Sequence, residues 1–180
     1  MDAFVARTTR VIAGGRNMKK VKKEKEMKKD IAILVDIDGT LFEEVPNWSP
    51  ETDAWWVKET LKMPELTTGI RLILLFKQRG YKLVFLTARG QSCKKNTWAR
   101  FKKAGIDKIV DGMYHRPKYW NDLAPVEYKE KMLRRIQNKY EIAFAMDDSV
   151  RNLAMFERIG IKTIDAKIWH EVDCRCHQCS

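Results

Sequence analysis

A chain of 180 residues has room for one ordinary domain, which buries about 70% of the surface exposed on unfolding, so a sizeable single core is expected. Its 44% hydrophobic and 33% charged content is that of a soluble globular protein, and no window approaches the ~18 uninterrupted apolar residues of a membrane span. The net charge is +11, and residues 1 to 30 hold ten Lys or Arg against four acids, which favours polyanionic partners such as nucleic acid through counterion release.

Residues 1 to 30 read as a basic, flexible N-terminal arm. The opening MDAFVARTTRVIAGGR has the look of a transit peptide, of an unstructured arm, or of sequence upstream of a start at Met18, and these readings stay open. A cytoplasmic location is the expectation, with organellar targeting as its alternative. A domain spanning 31 to 168 then opens on Ile31-Ala-Ile-Leu-Val35, a short apolar run of the kind buried on both faces of a parallel sheet. Similar runs recur at Lys82 to Leu86 and Ile142 to Met146, with shorter ones at Ile109-Val110 and Ile161 to Ile164.

Helical periodicity falls between them, at roughly 51 to 62, 67 to 79, 92 to 104, 125 to 138 and 149 to 159. Gly80, Gly105 and Gly160 supply the stops. Strands alternating with helices predict an α/β fold, a three-layer sandwich around a mainly parallel Rossmann-like sheet, with a small insert at about 41 to 66.

In such sheets ligands bind beyond the carboxyl ends of the strands. Asp36 and Asp38 follow the first run, Thr87 and Arg89 the second, and Asp147 and Asp148 the Ile142 run. Four carboxylates at one edge repel one another unless a cation joins them. Mg²⁺, which takes a few carboxylate oxygens plus waters and a substrate phosphate, fits that need.

The ordered motifs Asp36-Ile-Asp38-Gly39-Thr40, Leu86-Thr87, Lys129 in a helix, and Asp147-Asp148-Ser149-Val150-Arg151-Asn152 resemble the haloacid dehalogenase (HAD) phosphohydrolases over roughly 31 to 165. The resemblance implies a Mg²⁺-dependent phosphatase with Asp36 as nucleophile and Asp38 as general acid and base. It implies Mg²⁺ on the Asp36 carboxylate, the Asp38 backbone carbonyl and the Asp147-Asp148 pair, with Thr87 and Lys129 on phosphoryl oxygens. Lys131 competes with Lys129 for the last role.

The small insert leaves no room for a large lid, and an open site suits a phosphate on the end of a macromolecule. Thr87-Ala88-Arg89, Met113-Tyr-His-Arg116, Val126-Glu-Tyr-Lys129-Glu130 and Met155-Phe-Glu-Arg158-Ile-Gly160 are similar, in register, to the 3'-phosphatase domain of phage-type polynucleotide kinase-phosphatases. This second resemblance implies Arg89 and Arg116 as substrate-binding residues and a DNA or RNA terminal phosphate as substrate. No G-x-x-x-x-G-K-[ST] is present for a kinase half.

Two departures are notable. No Arg lies between Phe42 and Glu51, and Pro125 stands where that family has an acid, for which Asp122 is a candidate substitute. The basic residues Lys94, Lys95, Arg100, Lys102 and Lys103, and the aromatics Trp48, Trp55, Trp56, Tyr114, Tyr119 and Trp120, agree with a nucleic-acid strand. A nucleotidase or other small-molecule phosphatase is the alternative, and a catalytically idle nucleic-acid-binding module a further one. The tail at 169 to 180, with Cys174, Cys176, Cys179 and His170, has ligands for zinc but lacks a second knuckle, so an unstructured tail is expected ahead of a metal site.

Overall fold

The structure, a computed structural model, describes residues 28–44, 58–59 and 61–178. The arm up to residue 27, most of the insert and most of the helix expected at 51 to 62 lie outside the described residues, as do Trp48, Trp55 and Trp56. Five strands, β1 (Asp30–Val35), β2 (Lys82–Gly90), β3 (Gly112–Arg116), β4 (Tyr140–Asp147) and β5 (Lys162–Asp165), form one parallel sheet of order β3-β2-β1-β4-β5. Between and after them run α1 (Thr67–Gln78), α2 (Lys94–Lys103), α3 (Pro125–Gln137), α4 (Val150–Arg158) and α5 (Lys167–Gln178).

Strand alternation divides the core into two layers. Ile33, Val35, Leu83 and Phe85 face α1, α2 and α5 through Ile70, Ile73, Phe101 and Trp169. Ala32, Leu34, Val84 and Leu86 face α3 and α4 through Tyr128, Met132, Leu133, Ile136, Met155 and Phe156. Burial of each large aliphatic side chain contributes about 1.5–3 kcal/mol. The expected three-layer sandwich is therefore present.

The third strand is displaced from its expected place. Ile109 closes a 3₁₀ turn, Asp107–Ile109, and the strand begins at Gly112 instead. Among the described residues it is the edge strand and pairs only with β2, so its sequence Gly-Met-Tyr-His-Arg needs no continuous apolar run. The C-terminal stretch, expected to be unstructured, has helical backbone through Gln178, and the boundary drawn at 168 falls inside α5. The side chains of residues 174–180 lie outside the described residues, and with them the zinc question.

Helix α5 ties the loop after β1 to the start of α1. Trp169 Nε1 donates to the Thr40 carbonyl at 2.9 Å, and His170 Nε2 donates to that of Gly39. Asp173 accepts from the Thr68 amide at 3.1 Å and its hydroxyl at 2.6 Å, capping α1 from outside. Where these pieces meet, a Cβ on Gly69 would stand 2.4 Å from the Thr40 carbonyl oxygen and 3.0 Å from Trp169 Nε1. Gly69→Ala is therefore expected to cost about 1–3 kcal/mol, as overpacked cores do, and to lower turnover by shifting Thr40. Urea unfolding and steady-state rates check this, and an unchanged midpoint with unchanged rate would show the junction to be slack.

Candidate active site

The chain moves outward from β1 to β2 and β3, then crosses to the other side for β4 and β5. Strand order thus reverses beside β1, and a cavity of about 580 Å³ opens there at the carboxyl edge. Asp36, Asp38, Thr87, Arg89, Arg116 and Lys129 all line it, together with Asp148. Every site residue read from the sequence except Asp147 lies on that lining, and Asp147 sits directly behind it.

Asp36 is the first residue beyond β1, and its amide donates to the Met146 carbonyl at 2.9 Å, so β4 sets its height. Its carboxylate lies 2.9 Å from Lys129 Nζ, which also donates to Asp147 Oδ2 at 2.6 Å. Lys129 is only 2% exposed, whereas Lys131 is exposed over the Trp120 ring, which removes Lys131 as a competitor. The other Asp147 oxygen accepts from the Ser149 amide at 3.0 Å and Asn152 Nδ2 at 2.9 Å. Asn152 belongs to the fourth motif but was assigned no role from sequence; its place in the first turn of α4 was the available signal.

The register between β2 and β3 slips after Leu86: Leu86 pairs with Tyr114, yet Gly90 pairs with Arg116. Two extra residues on β2 form a bulge, a common device for re-aiming side chains beside a site. The bulge carries Thr87 and Arg89. Arg89 grips Asp38 with two parallel bonds, Nε to Oδ2 at 2.7 Å and Nη2 to Oδ1 at 2.5 Å. Its Nη1 donates to Thr97 Oγ1 at 3.2 Å. Thr97 gives its proton to the Cys93 carbonyl at 3.1 Å, so His115 Nε2, 3.2 Å from the same oxygen, must be the donor there.

Arg116 Nη1 reaches the carbonyls of Asn121 and Leu123, each at 3.4 Å, while its buried Nε has no partner among the described residues. Asp122 is exposed on that turn and does not line the cavity, so it does not replace the acid for which Pro125 stands. Arg100 also departs from expectation. It is buried, donates to the Met63 carbonyl and lies over the Phe42 ring at 4.0 Å, so it belongs to the core rather than to a basic face.

The site carries surplus negative charge. Asp36, Asp147 and Asp148 offer oxygens within 4.8 Å of one another. Burial pushes the Asp36 carboxyl well up, Lys129 pulls it partly back, and Asp147, Asp148 and Asp38 push it up again. Asp148 is raised to about 6 by burial and then by Asp147 and Glu44. Its approach depends on Gly39, whose φ is +68° and where a Cβ would lie 2.3 Å from Asp148 Oδ2. This set fits a hard divalent cation, which would neutralise the excess.

The family described as HAD superfamily, subfamily IIIB (acid phosphatase), matches residues 5–167. The chain belongs to it. None of the curated proteins matches the chain. Among solved structures, a chain of the Pnkp1/Rnl/Hen1 RNA repair complex is 24% identical with a TM-score of 0.64, covering 76% of this chain and 42% of that one. A second structure of that complex gives 23%, 0.66, 78% and 47%. The tungstate-bound class C acid phosphatase from Bacillus anthracis is 16% identical with a TM-score of 0.58, covering 78% and 68%. These likenesses show the HAD fold, and this chain spans less than half the length of the repair-complex chains it matches. Among the described residues, no helix is long and apolar enough to cross a membrane.

Burial, then the charges of Arg89 and Lys94, hold His115 down to about 4 from an ordinary 6.5. Below pH 6.5 the unfolded chain takes up a proton that the folded ring refuses, so stability falls with pH until the folded ring protonates near 4. The loss across that window should be on the order of 3 kcal/mol. Urea midpoints from pH 7 to 4 for wild type and His115→Asn check it, with the difference between the two curves shrinking as pH falls. Parallel curves would show that His115 is free to charge.

Proposed function

We propose that this HAD phosphatase is a Mg²⁺-dependent phosphomonoesterase that removes 3'-terminal phosphates from polynucleotides through an aspartyl-phosphate intermediate. The observation that carries the chemistry is the convergence of Asp36, Asp38 and Lys129 on one cavity, with Asp147 behind. Asp36 attacks phosphorus, an aspartyl P–O bond forms, and the ester P–O bond to the leaving oxygen breaks. Asp38 gives that oxygen a proton. A water then loses a proton to Asp38 and attacks the aspartyl phosphate, releasing phosphate and restoring Asp36.

Lys129 and Thr87 hold phosphoryl oxygens, and Lys129 also keeps Asp36 aimed. Asp36, the Asp38 backbone carbonyl and the Asp147-Asp148 pair would hold Mg²⁺, which would neutralise charge on the incoming phosphoryl group. Arg89 bonds to both Asp38 oxygens. An arriving phosphate offers that guanidinium a second anion and frees an Asp38 oxygen for proton transfer. Arg116, buried with an unpartnered Nε, adds positive charge on the same wall.

The polynucleotide reading is supported by the in-register motifs from Thr87 to Gly160 and by neighbours from an RNA repair complex. The family's description as acid phosphatases, with a cavity of about 580 Å³, favours a small phosphate ester as the second reading. Asp36→Asn should reduce turnover by about a thousandfold or more while the chain still folds, because Lys129 keeps its bond to Asp147 and the surplus of negative charge falls. EDTA should stop hydrolysis and Mg²⁺ restore it; full turnover in metal-free buffer would remove the metal from the proposal.

Substrate choice is read from kcat/KM on matched 3'-phosphorylated oligonucleotide, 5'-phosphorylated oligonucleotide and free 3'-nucleotide. The first should lead by about ten- to a thousandfold, since remote contacts lower only the barriers of substrates long enough to make them. Equal values for the oligonucleotide and the free nucleotide would favour the small-ester reading.

A further inference from the structure

One surface beside the cavity is not used by the chemistry above. Arg116 and Pro125 both line the cavity, and the eight residues between them form a compact turn. It is fixed from within: Trp120 N donates to Pro117 O at 2.9 Å, Asn121 N to Lys118 O at 3.2 Å, and Arg116 holds the carbonyls of Asn121 and Leu123. Trp120 anchors the turn against the core, its ring edge-on to the buried Tyr128 at 5.9 Å. Tyr119, by contrast, is 71% exposed, with its ring 5.5 Å from that of Trp120.

Positive charge lies against the Trp120 ring. The Arg135 guanidinium lies 4.9 Å from the Trp120 ring centroid and Lys131 Nζ 6.0 Å. Lys131, Arg134 and Arg135 stand at i, i+3 and i+4 on the exposed side of α3, and Lys118 is exposed on the turn. Two of the three acids in this stretch are already engaged: Glu127 accepts from the Ala124 amide at 3.2 Å, and Glu130 pairs with Arg158 at 3.0 Å. Cations therefore prevail there, facing solvent, on the surface that carries the exposed Tyr119 ring.

Resting on the polynucleotide reading, we propose that this surface carries the single strand that leads into the cavity. Tyr119 stacks a base of the strand, and Lys118, Lys131, Arg134 and Arg135 follow its phosphates. A ring on a turn tied to the cavity's own arginine loses little freedom when a base settles on it, and stacking tolerates any base. A sheath of lysines alone would track phosphates but would not distinguish a strand that has lost its bases. The proposal therefore makes a demand on the bases themselves.

The test is affinity of the full chain, in an Asp36→Asn background that does not turn over, for a 3'-phosphorylated strand of about ten nucleotides and for the same strand made of abasic sites. Tyr119→Ala should weaken binding of the normal strand by about five- to a hundredfold, with Tyr119→Phe close to the parent, and should leave the abasic strand unchanged. Lys131→Glu with Arg135→Glu should lower the salt slope of log affinity by about 1.4, the share of two phosphates on a single strand. With Asp36 restored, hydrolysis of p-nitrophenyl phosphate by Tyr119→Ala reports whether the fold and the chemistry survive. Normal binding of the strand by Tyr119→Ala, or an unchanged salt slope in the charge-reversed variant, would overturn the surface and leave the polynucleotide reading standing. Failure of the Asp36→Asn parent to bind any strand more tightly than inorganic phosphate would overturn both.

Discussion

Lys129 is the group on which the rest of the site depends. Its ammonium is buried between Asp36 from the end of β1 and Asp147 from the end of β4, on a helix packed across the far face of the sheet. Burial alone would drive such a group towards neutrality, yet Asp147 and Asp36 outweigh it and hold the lysine above its ordinary value. Buried ion pairs rarely add net stability over an apolar set of the same volume, but removing one partner leaves a bare charge that costs about 3–5 kcal/mol. The lysine thus fixes α3 against two strands and makes two close carboxylates tolerable. It does so incompletely, because Asp148 stands nearby without comparable relief, and that remainder is what a divalent cation would meet.

A second chain of contacts is organised around Asp38 in a parallel way. Arg89 reaches it only because the β2 bulge turns the guanidinium inward, and Thr97 and Cys93 on the far side hold the arginine in place. His115 adds a hydrogen bond without adding charge, since a protonated ring beside Arg89 would repel it. The two aspartates of the first motif therefore sit in unlike settings, one beside a buried ammonium and the other in a guanidinium fork. Residues two apart in sequence are separated in role by what the neighbouring strands bring to them.

Much of this was legible in the sequence because the relevant rules are local. Apolar runs ending in Asp36, Thr87 and Asp147 announce buried parallel strands with polar residues at their carboxyl ends, and Lys129 lies one turn into a helix that starts at a proline. The edge strand was misplaced because a strand with one neighbour need not be apolar, so Ile109-Val110 outshone Gly112 to Arg116. Arg100 was misread for a related reason: on a helix rich in lysine its charge looked solvated, and only the Phe42 ring and the Met63 carbonyl, both distant in sequence, explain its burial. The supports of Arg89 are illegible because they are side-chain contacts between elements, for which no spacing rule exists, whereas Asn152, five residues beyond Asp147 and in the first turn of α4, carries a local signal.

The least legible part is the closure made by α5. A tail ending in cysteines and histidines reads as a metal motif or as loose chain, but its first half has another task. Trp169 and His170 hold the carbonyls of Thr40 and Gly39, in the turn that carries Asp38 away from the strand, across sequence separations of 129 and 131 residues. Gly39 has left-handed backbone and approaches Asp148 too closely for any side chain, so the turn has little freedom along that direction. Without α5 its carbonyls would face solvent and the turn would be held mainly by its own short bonds, such as Gly39 N to Phe42 O at 2.8 Å. A loop that must place a carboxylate to within a fraction of an ångström needs partners outside itself. Helix α5 provides them from 129 and 131 residues further along the chain, which couples the geometry of the site to closure of the fold.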